Sequence, residues 1–583
     1  MKKKILLVYP EIPPTYWSFK YALSFIGKKA SIPPLGLLTV AAMLPMEWQI
    51  KLVDMNVSPL TDEMIREADL IFLSAMIVQK KSFTEVLERC EKLGATVVAG
   101  GHYPSSSYKK IEGVDHFVLN EAEITLPKFL HDWEEGKAKY VYKDDGKADI
   151  TNSPVPRFDL ISMKDYHTMP LQYSRGCPFN CEFCDIIEMF GRQIRTKTIR
   201  QFLKELNRLF CFGWHGSVFI VDDNFIGNKR NVKQLLSAIA EWQKERHYPF
   251  TLFTEASINL AEDEELLNFM GDAGFNMVFV GIETPDEETL IQTGKNQNVQ
   301  RNLLNSVIKI QSKGIEVAGG FIIGFDSDPP DIFERQIEFI QESGIVLAMV
   351  GLLTALPNTQ LYRRLEKEGR LLAESTGNNT HDLYLNFKPK MELTTLLEGY
   401  KRIIAHIYSP KAYFDRCLNF LCYLKPHQNS SRKVGGDEIF ALIKSLLKQT
   451  FSSYGHHYLW YLAQAIAINW RMFPEAVRQA IMGYHFFLIT REIIAVDELK
   501  NQYSIEDIKS QYEKILENIR NFDPQKKLGE LRSVTNSLIA EITEKYLEIH
   551  EDFRDLATEW HENIIRELNA LYKKYSSQFS EVH

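Results

Sequence analysis

Long hydrophobic runs are missing from this 583-residue chain, and no stretch approaches the roughly 20 apolar residues that span a bilayer. The opening MKKKILLVYP reaches Pro10 after a short apolar run with no small-residue cleavage site behind it, so it reads as a buried strand and not as a leader. An excess of positive charge is missing too: 68 lysines and arginines face 76 aspartates and glutamates, a net charge of −8. That balance excludes a general nucleic-acid binder, which needs a basic surface. Cysteine is scarce, seven in all, too few for a disulfide scaffold. With no targeting segment the expected compartment is the cytoplasm, where clustered thiols point to metal or catalysis. At 45% hydrophobic and 25% charged residues the composition is that of a globular protein. The length predicts about two to four domains.

Up to residue 155, short apolar runs (ILLVYP, IKLVDM, LIFLSA, TVVAGG, HFVLN) alternate with helical stretches such as FTEVLERCEKLG. Continuous runs of this length joined by crossover helices predict a parallel sheet covered on both faces, a doubly wound, Rossmann-like α/β domain over 1–155. Its ligand belongs outside the carboxyl ends of the strands. Two loops there stand out: AGGHYPSS, with Gly100, Gly101 and His102, and LNEAEIT, with Glu121 and Glu123. Taken alone, the glycines make a turn and the glutamates cap a helix.

Over 156–390 the alternation restarts with LQYS, SVFIVDD, TLFTEA, MVFVGIE, GGFIIGF and LAMVGLL. Six strand-helix units predict a partial (β/α)6 barrel with its chemistry at the strands' carboxyl ends. Just after the first strand lies YSRGCPFNCEFCDI, which places Cys177, Cys181 and Cys184 in a C-x3-C-x2-C spacing with Phe183 before the last cysteine. A structural zinc site would want a fourth thiolate or histidine at similar spacing, and none lies nearby. Three ligands suit a four-iron cluster with one iron left open.

Spacing, aromatic and strand-end placement together resemble the radical S-adenosylmethionine (SAM) enzymes. The resemblance implies that Cys177, Cys181 and Cys184 carry a 4Fe-4S cluster whose open iron chelates SAM and splits it into methionine and a 5'-deoxyadenosyl radical. It also implies SAM contacts from Tyr173, Phe183, Asp222, Asp223, Glu255, Ser257 and Glu283, and a closing segment ALPNTQLY with Pro357 and Tyr362. The segments IPPLGLLTVAAML, AGGHYPS and LNEAE in turn resemble the cobalamin-binding domain of the class B radical SAM methyltransferases. There is no D-x-H-x-x-G, so the resemblance implies base-off cobalamin with no histidine on cobalt. Gly100, Gly101, His102, Glu121 and Glu123 then lie by the cofactor, and Met76 and Gln79 line its lower face.

From 391 to 583 the pattern is helical throughout, dense in Tyr, Trp, Phe and Met, which predicts an all-helical domain whose aromatics mostly pack a core. LKPHQNSSRKVGGDE, 424–438, reads as an exposed loop, and 503–580 as a solvated helix pair. Longer runs in both catalytic domains are most similar to the subgroup containing the hopanoid C-2 methylase. This implies methylation of an unactivated carbon, on the A ring of a hopanoid-type lipid: one SAM charges cobalamin with a methyl group and a second yields the radical. Flavodoxin or ferredoxin is the implied electron donor, and exposed apolar residues of the C-terminal helices are the implied peripheral membrane contact. The readings left open are a cobalamin-dependent radical enzyme modifying a ribosomal peptide or another natural product, and a non-enzymatic iron-sulfur or zinc protein.

Overall fold

The computed structural model describes residues 2–380, 383–425 and 435–580, and the chain divides into two compact units, Met1–His485 and Phe486–His583. The first sheet of unit 1 contains β1 (Lys4–Tyr9), β2 (Gln49–Asp54), β3 (Leu70–Ser74), β4 (Val97–Gly100), β5 (His116–Val118) and β6 (Val141–Tyr142). All pair in parallel in the order β2-β1-β3-β4-β5-β6. The direction of winding reverses between β1 and β3, the switch point of a doubly wound sheet. Apolar side chains of both parities are buried: Leu6, Val8, Ile71 and Leu73 pack with Phe83 and Leu87, while Ile5, Leu7, Leu70 and Phe72 pack with Leu37 and Phe129. That is why these strands read as unbroken apolar runs. The two-residue β6 is too short to have left a pattern.

The second sheet begins with β7 (Thr168–Leu171), after which the short strands β8 (Ser174–Arg175) and β9 (Arg195–Thr196) form an antiparallel ribbon. It continues with β10 (Ser217–Ile220), β11 (Thr251–Glu255), β12 (Phe275–Glu283), β13 (Glu316–Ile323) and β14 (Ala348–Leu352). The order β14-β13-β12-β11-β10-β7 is parallel throughout, the open partial barrel expected. Its first strand starts three residues before LQYS and ends on the leucine of that run, so the ribbon, and not the strand itself, leads into the cysteine loop. Alternation sorts the side chains. Val218, Ile220, Leu252, Thr254, Val278 and Val280 are fully buried against the covering helices. Phe219, Phe253, Glu255 and Phe279 have the opposite parity, are only partly buried, and line the open concave side.

Helices Leu393–Ile407, Pro410–Tyr423, Gly436–Thr450, Gly455–Asn469 and the start of Phe473–Gln502 complete unit 1. Most of their aromatics are core, as expected: Tyr400, Tyr413, Tyr458 and Tyr461 are fully buried. The Tyr400 hydroxyl donates to the Thr380 carbonyl at 2.7 Å, and those of Tyr413 and Tyr461 donate to the Gln479 carbonyl and side-chain oxygens, each at 2.7 Å. Within the 424–438 loop, residues 426–434 lie outside the described residues. Unit 2 has three helices beyond the long one, Ile505–Asn518, Pro524–Glu548 and Glu551–Ser580, where a pair was expected. Tyr512 on the first shares a 2.5 Å hydrogen bond with Thr535 on the second, which explains why it folds back instead of standing free.

Candidate functional site

The exit from β7 is held by Asp222, just past β10. Its Oδ1 accepts from the Tyr173 N–H at 2.7 Å, and its Oδ2 accepts from the Ser174 N–H at 2.8 Å and hydroxyl at 2.7 Å. The Tyr173 ring is buried against Phe202 and Phe225, so it serves packing. Gly176 follows at φ +97°; a Cβ there would lie 2.8 Å and 2.9 Å from the carbonyl oxygens of Gln193 and Gly191, which leaves room for glycine alone. Its N–H donates to Asp223 Oδ2 at 2.8 Å, and the Cys177 N–H to the Gly191 carbonyl at 3.2 Å.

Cys177, Cys181 and Cys184 form no disulfide; Cys181 is buried and the other two are half-buried. The Asn224 side-chain amide reaches Cys177 Sγ at 4.0 Å, and that of Gln297 donates to Cys181 Sγ at 3.6 Å. Burial pushes the thiols of Cys177 and Cys184 up, so strong positive charge is required to hold them as thiolates. Among the described residues no group of three or more His, Cys, Asp or Glu converges as a single ion would demand; a cubane takes each thiolate at its own corner. The neighbouring Asn224 and Gln297 were not singled out in the sequence, and only the position of Asn224 directly after the aspartate pair could have pointed to it.

The carboxylates on the concave side are unusual. Burial, reinforced by Asp223 and Asp222, pushes Glu255 up to about 8, and burial lifts Asp223 to about 6 and Asp222 to about 7. Glu255 accepts no hydrogen bond within the described residues, so a cationic ligand group would meet an unclaimed carboxyl there. Ser257, bonded to Asn224 at 3.2 Å and to Asn259 at 2.7 Å, belongs to the wall between Glu255 and Cys177. Glu283 stands at φ +65°, where β12 bulges against β13, and binds Lys295 Nζ at 2.6 Å with both side chains nearly buried. Gly281 makes room for this pair, since a Cβ there would lie 2.2 Å from Glu283 Oε1 and 2.7 Å from Lys295 Nζ. The same ammonium lies 6.0 Å from the Phe183 ring, whose other neighbour is Phe325 at 5.7 Å. Burial would lower Lys295, but Glu283 and the thiols of Cys181 and Cys184 outweigh it and hold it charged. Lys295→Gln should therefore move the cluster's reduction potential negative by tens of millivolts and Glu283→Gln should move it positive, both read by redox titration of the reconstituted protein. Equal potentials in the two variants would show that the pair does not reach the cluster electrostatically.

The residues expected around a cofactor on the first sheet divide between that crevice and the cysteine loop. Gly101, at φ +87°, approaches Ser74 so closely that a Cβ would meet its Oγ at 2.3 Å, and Gly100 lies under the Val118 carbonyl. Met76 is exposed at the end of β3. Gln79 is not free to line a cofactor face: it is buried, its amide donates to the Pro10 carbonyl at 2.6 Å and its oxygen accepts from the Met76 N–H at 2.8 Å. His102 Nε2 is bonded to Asp185 Oδ2 at 2.6 Å, one residue past Cys184. Glu121, at the N-cap position of the helix Ala122–Glu134, makes no side-chain cap. Arg175 bonds Glu121 at 2.8 Å and Glu123 at 2.7 and 3.0 Å, and Arg195 bonds Glu121 at 2.8 Å. The glutamates thus couple the first sheet to both strands of the ribbon that flanks the cysteine loop. On the other side, the segment after Pro357 starts a helix whose Gln360 side chain donates to Asn180 at 2.9 Å and whose Leu361 N–H donates to the Glu182 carbonyl at 2.9 Å. Next to Tyr362, Arg363 and Arg364 pair with Glu188 and Glu182. The cysteine loop is clamped from both flanks.

Residues 171–340 match the model of the radical SAM superfamily, 29–130 that of the B12 binding domain, and 359–498 that of a domain of unknown function, DUF4070. An uncharacterized methyltransferase of Synechocystis sp. is 44% identical over 424 residues, covering 72% of this chain and 79% of its own. The hopanoid C-2 methylase of Rhodopseudomonas palustris is 35% identical over 419 residues, covering 71% and 78%. In fold, the cobalamin-dependent S-adenosylmethionine radical enzyme OxsB superposes with a TM-score of 0.56 at 17% identity, over 99% of this chain and 84% of its own.

Proposed function

Because the chain belongs to the cobalamin-dependent radical SAM methyltransferases, we propose that it methylates an unactivated carbon on the A ring of a hopanoid-type lipid. The observation that carries the substrate class is the concave face of the partial barrel. Phe219 and Phe253 stack at 4.5 Å with their planes 2° apart, and Phe279 on the next strand meets Trp17 at 5.1 Å. Along β10 and β11 these rings lie on the same parity as Asp223 and Glu255, toward the amino ends of the strands. They make a flat apolar wall suited to a rigid fused-ring molecule. The 35% identity to a hopanoid methylase over most of both chains supports the same class.

The residues present fit the cofactors of the family. Three unpaired thiols at the ribbon exit would hold the cluster, with Asn224 and Gln297 bonded to their sulfurs. Glu255 and Asp223 would take the ammonium of SAM's methionine end, and the β3 and β4 exits, with Met76, Gly100 and Gly101, would border cobalamin. When bound, these groups supply one-electron cleavage of SAM and a methyl carrier. The chain's own part is to orient and to keep water out: Asp222 fixes the loop entry, and the clamps from Glu121, Glu123, Arg363 and Arg364 hold the loop closed around the reacting groups. His102 is bonded through Nε2 to Asp185, and base-off cobalamin with no histidine on cobalt is part of this reading. A flavodoxin or ferredoxin would deliver the electron.

Expression in a host that makes unmethylated hopanoids is the test, read by mass spectrometry of extracted lipids. The expected result is a hopanoid carrying one added methyl group, absent when the three cysteines are replaced. Unchanged lipids together with methylation of a ribosomal peptide encoded beside the gene would replace this reading with the peptide one.

A further inference from the structure

We propose that the two-helix segment Gly436–Asn469 is a lipid-docking surface that rests on a bilayer carrying anionic headgroups. The helices Gly436–Thr450 and Gly455–Asn469 meet each other through the Ser445 and Tyr458 hydroxyls at 2.9 Å, and their inner sides pack on the rest of unit 1. Their outer side is apolar and uncovered among the described residues. Phe440, Leu447, Phe451, Trp460, Ile466 and Trp470 are all exposed, Phe451 by 85% and Trp470 by 70%. A contiguous apolar face of this kind marks an interaction site and not ordinary surface.

Charge identifies the occupant. No lysine, arginine, aspartate or glutamate lies between Lys448 and Arg471, and no acidic residue lies between Glu438 and Glu475. The cations at the margin are held on aromatic rings: Lys444 lies 4.7 Å from Phe440, Lys448 4.4 Å from Tyr484 and Arg471 5.8 Å from Trp470. A protein partner or a second copy would meet a polar rim of both signs. Apolar side chains and tryptophans on a stretch with no acidic residue between Glu438 and Glu475, with Arg471 at its margin, match the interface of an anionic bilayer, where that charge reaches the headgroups. No described helix is long and apolar enough to cross a membrane, so the segment lies on the bilayer. Its inner side touches the chain that leads to the barrel. Lys444 Nζ bonds the Ser24 carbonyl at 3.2 Å and Lys448 lies 5.3 Å from Phe25, in the stretch that also carries Trp17. The proposal rests on the lipid reading above for its purpose, since a substrate dissolved in the bilayer has to be met there.

Flotation of the reconstituted full chain with phosphatidylcholine–phosphatidylglycerol vesicles, and with phosphatidylcholine vesicles alone, tests it. The chain should float with the mixed vesicles and less with the neutral ones. The quadruple variant Phe440→Ser, Leu447→Ser, Phe451→Ser, Trp470→Ser should partition at least about tenfold less. Because all four side chains are exposed, unchanged cluster absorption and circular dichroism should show the fold intact. A wild-type chain that stays unbound to both vesicles, or a variant that floats as well, overturns the proposal. So does a wild-type dimer that the same substitutions turn into a monomer without any flotation, which would assign the face to a second copy. Methyl transfer to detergent-dispersed hopanoid separates the two readings: transfer without flotation removes the docking surface, and flotation without transfer removes the hopanoid.

Discussion

Replacing Cys177, Cys181 and Cys184 together with alanine should abolish the visible absorption of the reconstituted cluster and reduce reductive SAM cleavage to background. The three thiols lie on one loop fixed by backbone contacts that do not involve their sulfurs: Gly176 N–H to Asp223, Cys177 N–H to Gly191 and Glu182 N–H to Thr293. Alanine therefore removes the ligands and leaves the loop. The other cysteines offer no substitute, since Cys90 and Cys417 are buried in cores and Cys211 and Cys422 are exposed on helices away from the loop. Cobalamin binding should survive in the variant, because the crevice of the first sheet contains none of the three. A variant that still holds a full complement of iron and sulfide would show that the cluster has other ligands.

The second large effect is expected at Arg175. Its guanidinium, 13% exposed, holds Glu121 and Glu123, themselves 2% and 9% exposed. Arg175→Met should destabilise the folded chain by about 3–5 kcal/mol, as loss of one partner from a buried ion pair does. It should also reduce cluster loading, because residue 175 immediately precedes Gly176 and Cys177. Although burial alone would raise Glu123, the bonds from Arg175 hold it down at about 2, against an ordinary 4.5. A carboxyl depressed in the folded state stabilises it fully above its unfolded value and loses that contribution as pH falls toward the folded one. The Glu123 share, about 3 kcal/mol from the shift, should thus be present at neutral pH and disappear between about pH 4.5 and 2. Denaturation of wild type and variant across that range measures it. A gap that stays constant down to pH 2 would show that Arg175 acts by packing alone.

Much of the architecture was legible because it is written in local pattern. Unbroken apolar runs marked β1 to β5, since strands covered on both faces bury both parities, apolar runs also marked the main barrel strands, and the C-x3-C-x2-C spacing marked the loop because its three cysteines come from one short segment. Neighbours on one strand were a different matter. Asp222 and Asp223 read as one pair, yet adjacent residues point to opposite sides, so one ties the backbone of Tyr173 and Ser174 while the other faces the loop. Glu121 and Glu123 looked like cofactor ligands or helix caps, and only folding brought Arg175, more than fifty positions later, against both. His102 meets Asp185 across 83 positions and Lys444 meets Ser24 across 420. By itself the sequence determined the two parallel sheets, the helical end and the grouping of three cysteines on one loop, because periodicity and short-range spacing survive in the unfolded order of residues. Only the tertiary structure decided which carboxylates are bonded to arginines, which one is left open to a ligand and which apolar helix face stays uncovered, because burial and charge pairing depend on what distant segments bring to the same place.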